Sequence, residues 1–273
     1  MKNLSRVIFF FSFSPIALYA QQADILTYKT DSLVINAEDT SEYIDNSIRI
    51  SFPDYFVLIG TDFAKQITAP FHLTGDDALK AGGFAASVAV LTMLDEPIQQ
   101  TAMQTKNNRT LSSISNNITN AGGKYEALAI LGLGAYSFAF KNEKLQTTTL
   151  LASQAYLTSG TMESIIKFIM GRQRPNYYDP TQSDAEPTFH GPFFKPPNAV
   201  NGNHLSTSFP SGHTTVAFAT ATVFAMQYKD IAWVPIVSYS AASLIGVSRI
   251  TENKHWFTDV LSGAVLGYLC GRQ

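Results

Sequence analysis

Cysteine is almost missing from this chain: Cys270 is the only one in 273 residues. A lone thiol forms no disulfide within the chain and builds no cysteine-rich metal site, so packing is the role expected of it. Charge is scarce too, with 15% Asp, Glu, Lys and Arg against about 25% in an average soluble domain. There is no basic excess, because 19 Lys and Arg face 21 Asp and Glu for a net charge of −2. That balance excludes nucleic acid as a partner, since binding a phosphate backbone needs a basic face. Uncharged apolar runs of the roughly 20 residues that span hydrocarbon are also lacking. No internal repeat is visible.

The chain is instead rich in shorter apolar segments, and 45% of its residues are hydrophobic. Uncharged stretches occupy Ala81–Leu94, Ala127–Phe140, Leu145–Met162, Thr214–Tyr228, Ile231–Ser248 and Val260–Gly271. Their length and patterning predict an all-α fold, a compact bundle of about six buried core helices rather than six membrane spans. Upstream, Phe56, Ile59, Phe63 and Ile67 recur at helical spacing behind Pro53, an amphipathic segment suited to a bundle or to a bilayer surface. Gly263, Gly267 and Gly271 fall at i, i+4 and i+8 in the last helix. Each costs about 1 kcal/mol of helix propensity, so a neighbouring backbone is expected close against that bare ridge.

At the N-terminus, Lys2 and Arg6 precede an apolar stretch from Val7 to Leu18 and then Ala20. This reads as a secretory signal over residues 1–20, with an uncleaved anchor as the alternative. A polar extension follows over 21–52, and the helical domain occupies 53–273 with its motif core at 160–273. Cleavage would leave 17 Lys and Arg (19 minus Lys2 and Arg6) against 21 acids, a net −4. An extracytoplasmic, periplasmic location is expected. The stretch from Lys106 to Lys124 looks like an ordinary exposed connection. Residues 176–209 form a long loop rich in Pro, Asn, Asp and Gly that carries Tyr177, Tyr178, Phe189, Phe193 and Phe194; its position between two candidate site segments suggests a rim or lid.

Chemistry concentrates late in the chain. Lys167 and Arg174 are two helical turns apart, and Pro175 discourages helix at Arg174 and so marks a helix end. For either cation alone, compensation of the helix dipole is explanation enough, and Arg172 is expected to have no other role. Pro210-Ser211-Gly212-His213 sits where the loop gives way to an apolar helix, so unpaired backbone N–H groups face whatever lies there. Ser211 is either a helix N-cap or an anion ligand. Arg249 closes the following helix, and His255 precedes Asp259 by four residues. That spacing puts the carboxylate beside the imidazole, where it can hold one ring nitrogen as N–H and leave the other free to attack.

Lys167 with six residues before Arg174-Pro175, then Pro-Ser-Gly-His, then Ser248-Arg249 with His255 and Asp259, together resemble the signature of the type-2 phosphatidic acid phosphatase superfamily. That superfamily also holds bacterial acid phosphatases and vanadium-dependent haloperoxidases. The resemblance covers Lys167 to Asp259, and the N-terminal third contributes nothing to it. It implies a phosphatase that needs no metal or other cofactor, with the active site formed by helix ends and loops at one end of the bundle. His255 would be the nucleophile, Asp259 its orienting partner and His213 the general acid and base. Lys167, Arg174, Arg249, Ser211 and the backbone N–H of Gly212 would bind phosphate.

The partner expected is a phosphorylated lipid or a small phosphate ester, with a membrane surface as a second candidate. Two other functions fit the same residues: a vanadium-dependent haloperoxidase, and a phosphate- or lipid-binding protein without activity. The sequence carries no signal for an oligomeric state.

Overall fold

The computed structural model describes residues 52–106, 108–176, 187–192 and 207–273. The signal-like segment 1–20, the polar extension up to residue 51 and most of the 176–209 loop lie outside the described residues. Among the described residues the fold is all-α, with nine helices and no β-strand. They are α1 (Phe52–Thr68), α2 (Gly75–Leu91), α3 (Asp95–Lys106), α4 (Arg109–Ala121), α5 (Lys124–Ala139), α6 (Glu143–Met170), α7 (Gly212–Gln227), α8 (Trp233–Thr251) and α9 (Phe257–Arg272).

Each of the six apolar stretches lies almost wholly within helix: α2 with the 3-10 turn that continues it, α5, α6, α7, α8 and α9. The count exceeds six because α1, α3 and α4 are helical as well. For α4 this corrects the expectation of an exposed connection. Its Ser, Thr and Asn residues are poor helix formers, but Asn108 caps its start by accepting from Thr110 and Leu111 N–H. Ser115 and Thr119 then hydrogen-bond Thr251 and Ser248 at the end of α8. Tertiary contacts outweigh propensity there.

α7 packs along α6, α8 and α9, and successive helices reverse direction. The C-terminal ends of α6 and α8 therefore meet the N-terminal starts of α7 and α9. α6 stops at Gly171, whose left-handed φ of 56° turns the chain sharply. The glycine ridge of α9 lies on the α7 backbone as expected. A Cβ at Gly263 would come within 2.7 Å of the Ser211 carbonyl, and one at Gly267 or Gly271 would collide with the carbonyl of Thr215 or Ala219.

The interior is built of small residues. Ala152, Ala155, Ala219 and Ala221 are buried, as are Thr148, Thr215 and Thr222. Large apolar side chains point outward: Leu79, Met93, Leu131, Phe168, Trp233 and Ile236 are all exposed. The expectation that α2 is a buried core helix fails, since Val88 is its sole buried residue. α1 is likewise inverted. Its Tyr55 hydroxyl bonds Ser153 at 2.6 Å, Gln66 bonds Thr158 at 3.2 Å and Asp62 accepts from Gln154, all on α6. Phe56 and Ile67, from its apolar stripe, are exposed. Small and polar residues between helices with bulky apolar ones outside is how helices pack in lipid. Among the described residues two segments, Gly75–Gln104 and Trp233–Thr251, are long and apolar enough to cross a membrane. The first of these became visible only when a 3-10 turn joined α2 to α3, carrying an apolar stretch of 14 residues (81 to 94) on to a 30-residue segment.

Gly267→Ala is expected to destabilise the protein despite a helix-propensity gain of about 1 kcal/mol, because overpacking costs about 1–3 kcal/mol. Gly82→Ala, with nothing within 4 Å of the added carbon, should be neutral or stabilising. Chemical denaturation of both variants in mild detergent tests the pair.

Candidate active site

Asp259 sits at the junction of the four helix ends. It is fully buried at the third position of α9. Its Oδ2 reaches back to accept from the Trp256 N–H at 2.9 Å and takes the Ser208 hydroxyl at 2.5 Å. Oδ1 accepts from Arg172 at 2.6 Å. The main-chain carbonyl of Asp259 accepts from Ser211 N–H at 2.9 Å, tying α9 to the start of α7.

His255 differs in detail from the sequence expectation. Its Nδ1 lies 2.8 Å from the carbonyl oxygen of Ser208 and 3.5 Å from the Asp259 carboxylate. Because a carbonyl only accepts, Nδ1 carries the proton and Nε2 keeps its lone pair. The tautomer expected for attack is thus set, but a backbone carbonyl makes the short bond and Asp259 acts as a charged neighbour. Ser208 serves both groups at once, and its own N–H donates to the Arg172 carbonyl at 2.9 Å. Sequence reasoning missed it, although it directly precedes Phe209 and Pro210.

Arg172 does more than balance a helix dipole. It is completely buried, donating to Asp259 and, at 2.5 Å, to Asp95, with a further bond to Thr258 at 2.8 Å. Its guanidinium stacks 4.6 Å from the centre of the Phe189 ring. Asp95, at the start of α3, also accepts from the N–H and hydroxyl of Thr258 at the start of α9. A residue well outside the Lys167–Asp259 span therefore reaches the site. The acidic pair Asp95-Glu96 closing a long apolar run was the available signal, since a buried carboxylate needs a partner.

The candidate anion ligands converge around the two imidazoles. Burial, then the charges of Arg174, Lys167, Arg249 and the nearby His213, hold the His255 pKa well below its usual range. His213 is pushed down to about 4 by burial and then by Arg249, Lys167 and Arg174. The buried Nε–H groups of Arg174 and Arg249 have no hydrogen-bond partner among the described residues. Lys167 is ion-paired with Glu163, one turn earlier on α6. Ser211 occupies the N-cap position of α7 but does not cap it; its hydroxyl accepts from Thr214 at 2.9 Å, leaving its own proton and the first N–H groups of α7 for another acceptor. Gly212 lies against Lys167, where an added Cβ would sit 3.3 Å from Nζ. Gly123, at the start of α5, lies against His213, with its would-be Cβ 2.8 Å from Nε2. All eight residues singled out in the sequence thus meet at one end of the bundle. Uncompensated cations, amide N–H groups and a hydroxyl around a neutral imidazole make a receptor for a tetrahedral anion.

Residues 148–272 match the family profile described as the PAP2 superfamily. That segment of the chain is similar to the type-2 phosphatidic acid phosphatase superfamily, and it holds all eight of these residues. A lipid A 1-phosphatase of Porphyromonas gingivalis is 48% identical over 67 residues, 24% of this chain and 15% of that protein. Lipid phosphate phosphatase 1 of Arabidopsis thaliana is 31% identical over 143 residues, 44% of this chain and 42% of that protein. The chain thus spans less than half the length of either relative. Among solved structures, a transmembrane PAP2 type phosphatidylglycerolphosphate phosphatase from Bacillus subtilis superposes with a TM-score of 0.45 and 21% identity, covering 81% of this chain and 92% of that one.

Replacing Arg172 with Met should cost about 3–5 kcal/mol of stability, the usual penalty for stranding buried charge, and denaturant titration measures it. Stability should also fall with acid. In the folded protein His213 stays neutral down to about 4 and the His255 pKa is likewise held well below its usual range, whereas in the unfolded chain both take protons below about 6.5. The unfolded state is therefore favoured progressively as pH drops from 6.5 towards 4. Denaturation at pH 7 and pH 5 should show a larger loss in the wild type than in His213→Gln.

Proposed function

We propose that this protein is a phosphatase hydrolysing phosphate monoesters or pyrophosphates of a lipid through a phosphohistidine intermediate. One observation carries this reading: a buried imidazole, its Nδ1–H fixed by the Ser208 carbonyl, sits among Lys167, Arg174 and Arg249 at the uncapped start of α7.

In the proposed reaction the Nε2 lone pair of His255 attacks phosphorus, forming a P–N bond as the P–O bond to the leaving alkoxide breaks. Asp259 stabilises the imidazolium that results. His213 gives its proton to the alkoxide, then takes one from the water that attacks phosphorus and cleaves the P–N bond. General acid and base help of this kind contributes about 10²–10⁴ in rate. Fixed donors from Lys167, Arg174, Arg249, Ser211 and the Gly212 N–H stabilise the equatorial oxygens, the role other phosphoryl-transfer sites give to divalent metal. A dianionic substrate offsets the three positive charges that depress His213, so its arrival raises that pKa and lets His213 take up from solvent the proton it later gives to the alkoxide.

The lipid assignment draws on the relatives' names, lipid A 1-phosphatase and lipid phosphate phosphatase, and on the outward apolar faces of α1, α2, α5 and α8. Those faces support membrane association, which keeps the site near a headgroup. The signal-like residues 1–20 support a periplasmic or otherwise extracytoplasmic site, with 53–273 as the catalytic domain.

His255→Asn should abolish hydrolysis of phosphatidate and of a soluble aryl phosphate, while wild-type turnover survives EDTA and is blocked by vanadate. His213→Gln should lose far more rate with poor leaving groups than with good ones. Near-parental turnover in His255→Asn, or equal losses across leaving groups in His213→Gln, would refute the assigned roles.

A further inference from the structure

Glu163 is a carboxylate inside the cation cluster that the proposed reaction does not use. It stands one turn before Lys167 on α6, 6% exposed and ion-paired with that lysine. It also presses on the start of α7, where a Cβ added at Gly212 would lie 2.5 Å from its Oε1 and 3.3 Å from Lys167 Nζ. Ser164 donates to its other oxygen at 3.2 Å. Its charge is felt at Arg174 as well. The carboxylate thus holds the same lysine, and faces the same backbone, that the phosphoryl oxygens are assigned.

We propose that Glu163 is a built-in counter-ion that competes with phosphate for Lys167 and so sets how tightly the site holds its substrate and releases inorganic phosphate; this rests on the phosphatase reading above. In the empty site Glu163 keeps the lysine ordered and charged. When phosphate binds, Lys167 turns to it while Glu163, held against Gly212, stays close. Like charges at short range in a water-poor site repel strongly. The repulsion weakens binding of the free phosphate left after hydrolysis and favours its departure. A residue that only anchored Lys167 would act in the opposite sense, because its loss would loosen the lysine and weaken binding.

Calorimetric titration with inorganic phosphate at pH 6.5, on detergent-purified wild type and Glu163→Gln, separates the two. The variant should bind phosphate about tenfold more tightly, with a matching fall in the phosphate inhibition constant and in KM for a soluble ester. Unchanged or weaker binding in a folded Glu163→Gln would overturn the inference while leaving the phosphatase reading intact. If that variant does not fold, Glu163→Asp withdraws the carboxylate by one methylene and should tighten binding by a smaller factor; no tightening there overturns it equally. A wild type that neither binds phosphate nor hydrolyses esters sinks the phosphatase reading, and this inference with it.

Discussion

Asp259 gathers three separate segments onto one buried negative charge. Arg172 comes from the end of α6, Ser208 from the approach to α7, and the Trp256 N–H from the turn that opens α9. Its own carbonyl then takes the Ser211 N–H. A carboxylate removed from water must be matched by donors, so these segments are held in register by the cost of leaving it unmatched. The position of His255 follows from that register, because its Nδ1 partner is the carbonyl of the same Ser208 whose hydroxyl binds Asp259. Asp95 extends the network into the N-terminal helices through Arg172 and Thr258.

Around this neutralised core the charge balance changes sign. Arg172 is ion-paired with two carboxylates, whereas neither Arg174 nor Arg249 makes an ion pair among the described residues; the buried Nε–H of all three is without a partner there. Lys167 lies between these cases, partnered by Glu163. The imidazoles respond to the sum, and both are held neutral. In the proposed reaction neutrality suits His255 as nucleophile, whereas His213 serves as acid once bound phosphate has raised its pKa and it has taken up a proton.

The same helices that aim these groups inward turn their bulk outward. Alanine, threonine and glycine line the contacts of α7 with α6 and α9, which lets backbones approach closely and fixes the helix ends with little play. The large apolar side chains are left on the surface of α2, α5 and α8, an arrangement stable against lipid and costly against water. Rigid close packing and a lipid-compatible exterior therefore come from one choice of residues.

Much of the site was legible in the sequence. Helical periodicity gave the all-α fold, the three glycines of α9 announced a backbone contact, and the intervals between Lys167, Arg174, Ser211, Gly212, His213, Arg249, His255 and Asp259 marked one chemical unit, because each lies within four residues of a helix end; the helical interval read between Lys167 and Arg174 is not kept, since α6 stops at Met170. Other features depended on partners far away in the chain. The 2.8 Å bond from His255 to Ser208, the bridging of Asp95 and Asp259 by Arg172, the helicity of α4 and the exposure of Phe56 and Ile67 on α1 were decided by tertiary structure. Local pattern fixes which way a side chain points from its own helix; only the folded chain decides whether water, lipid or another buried charge is waiting there.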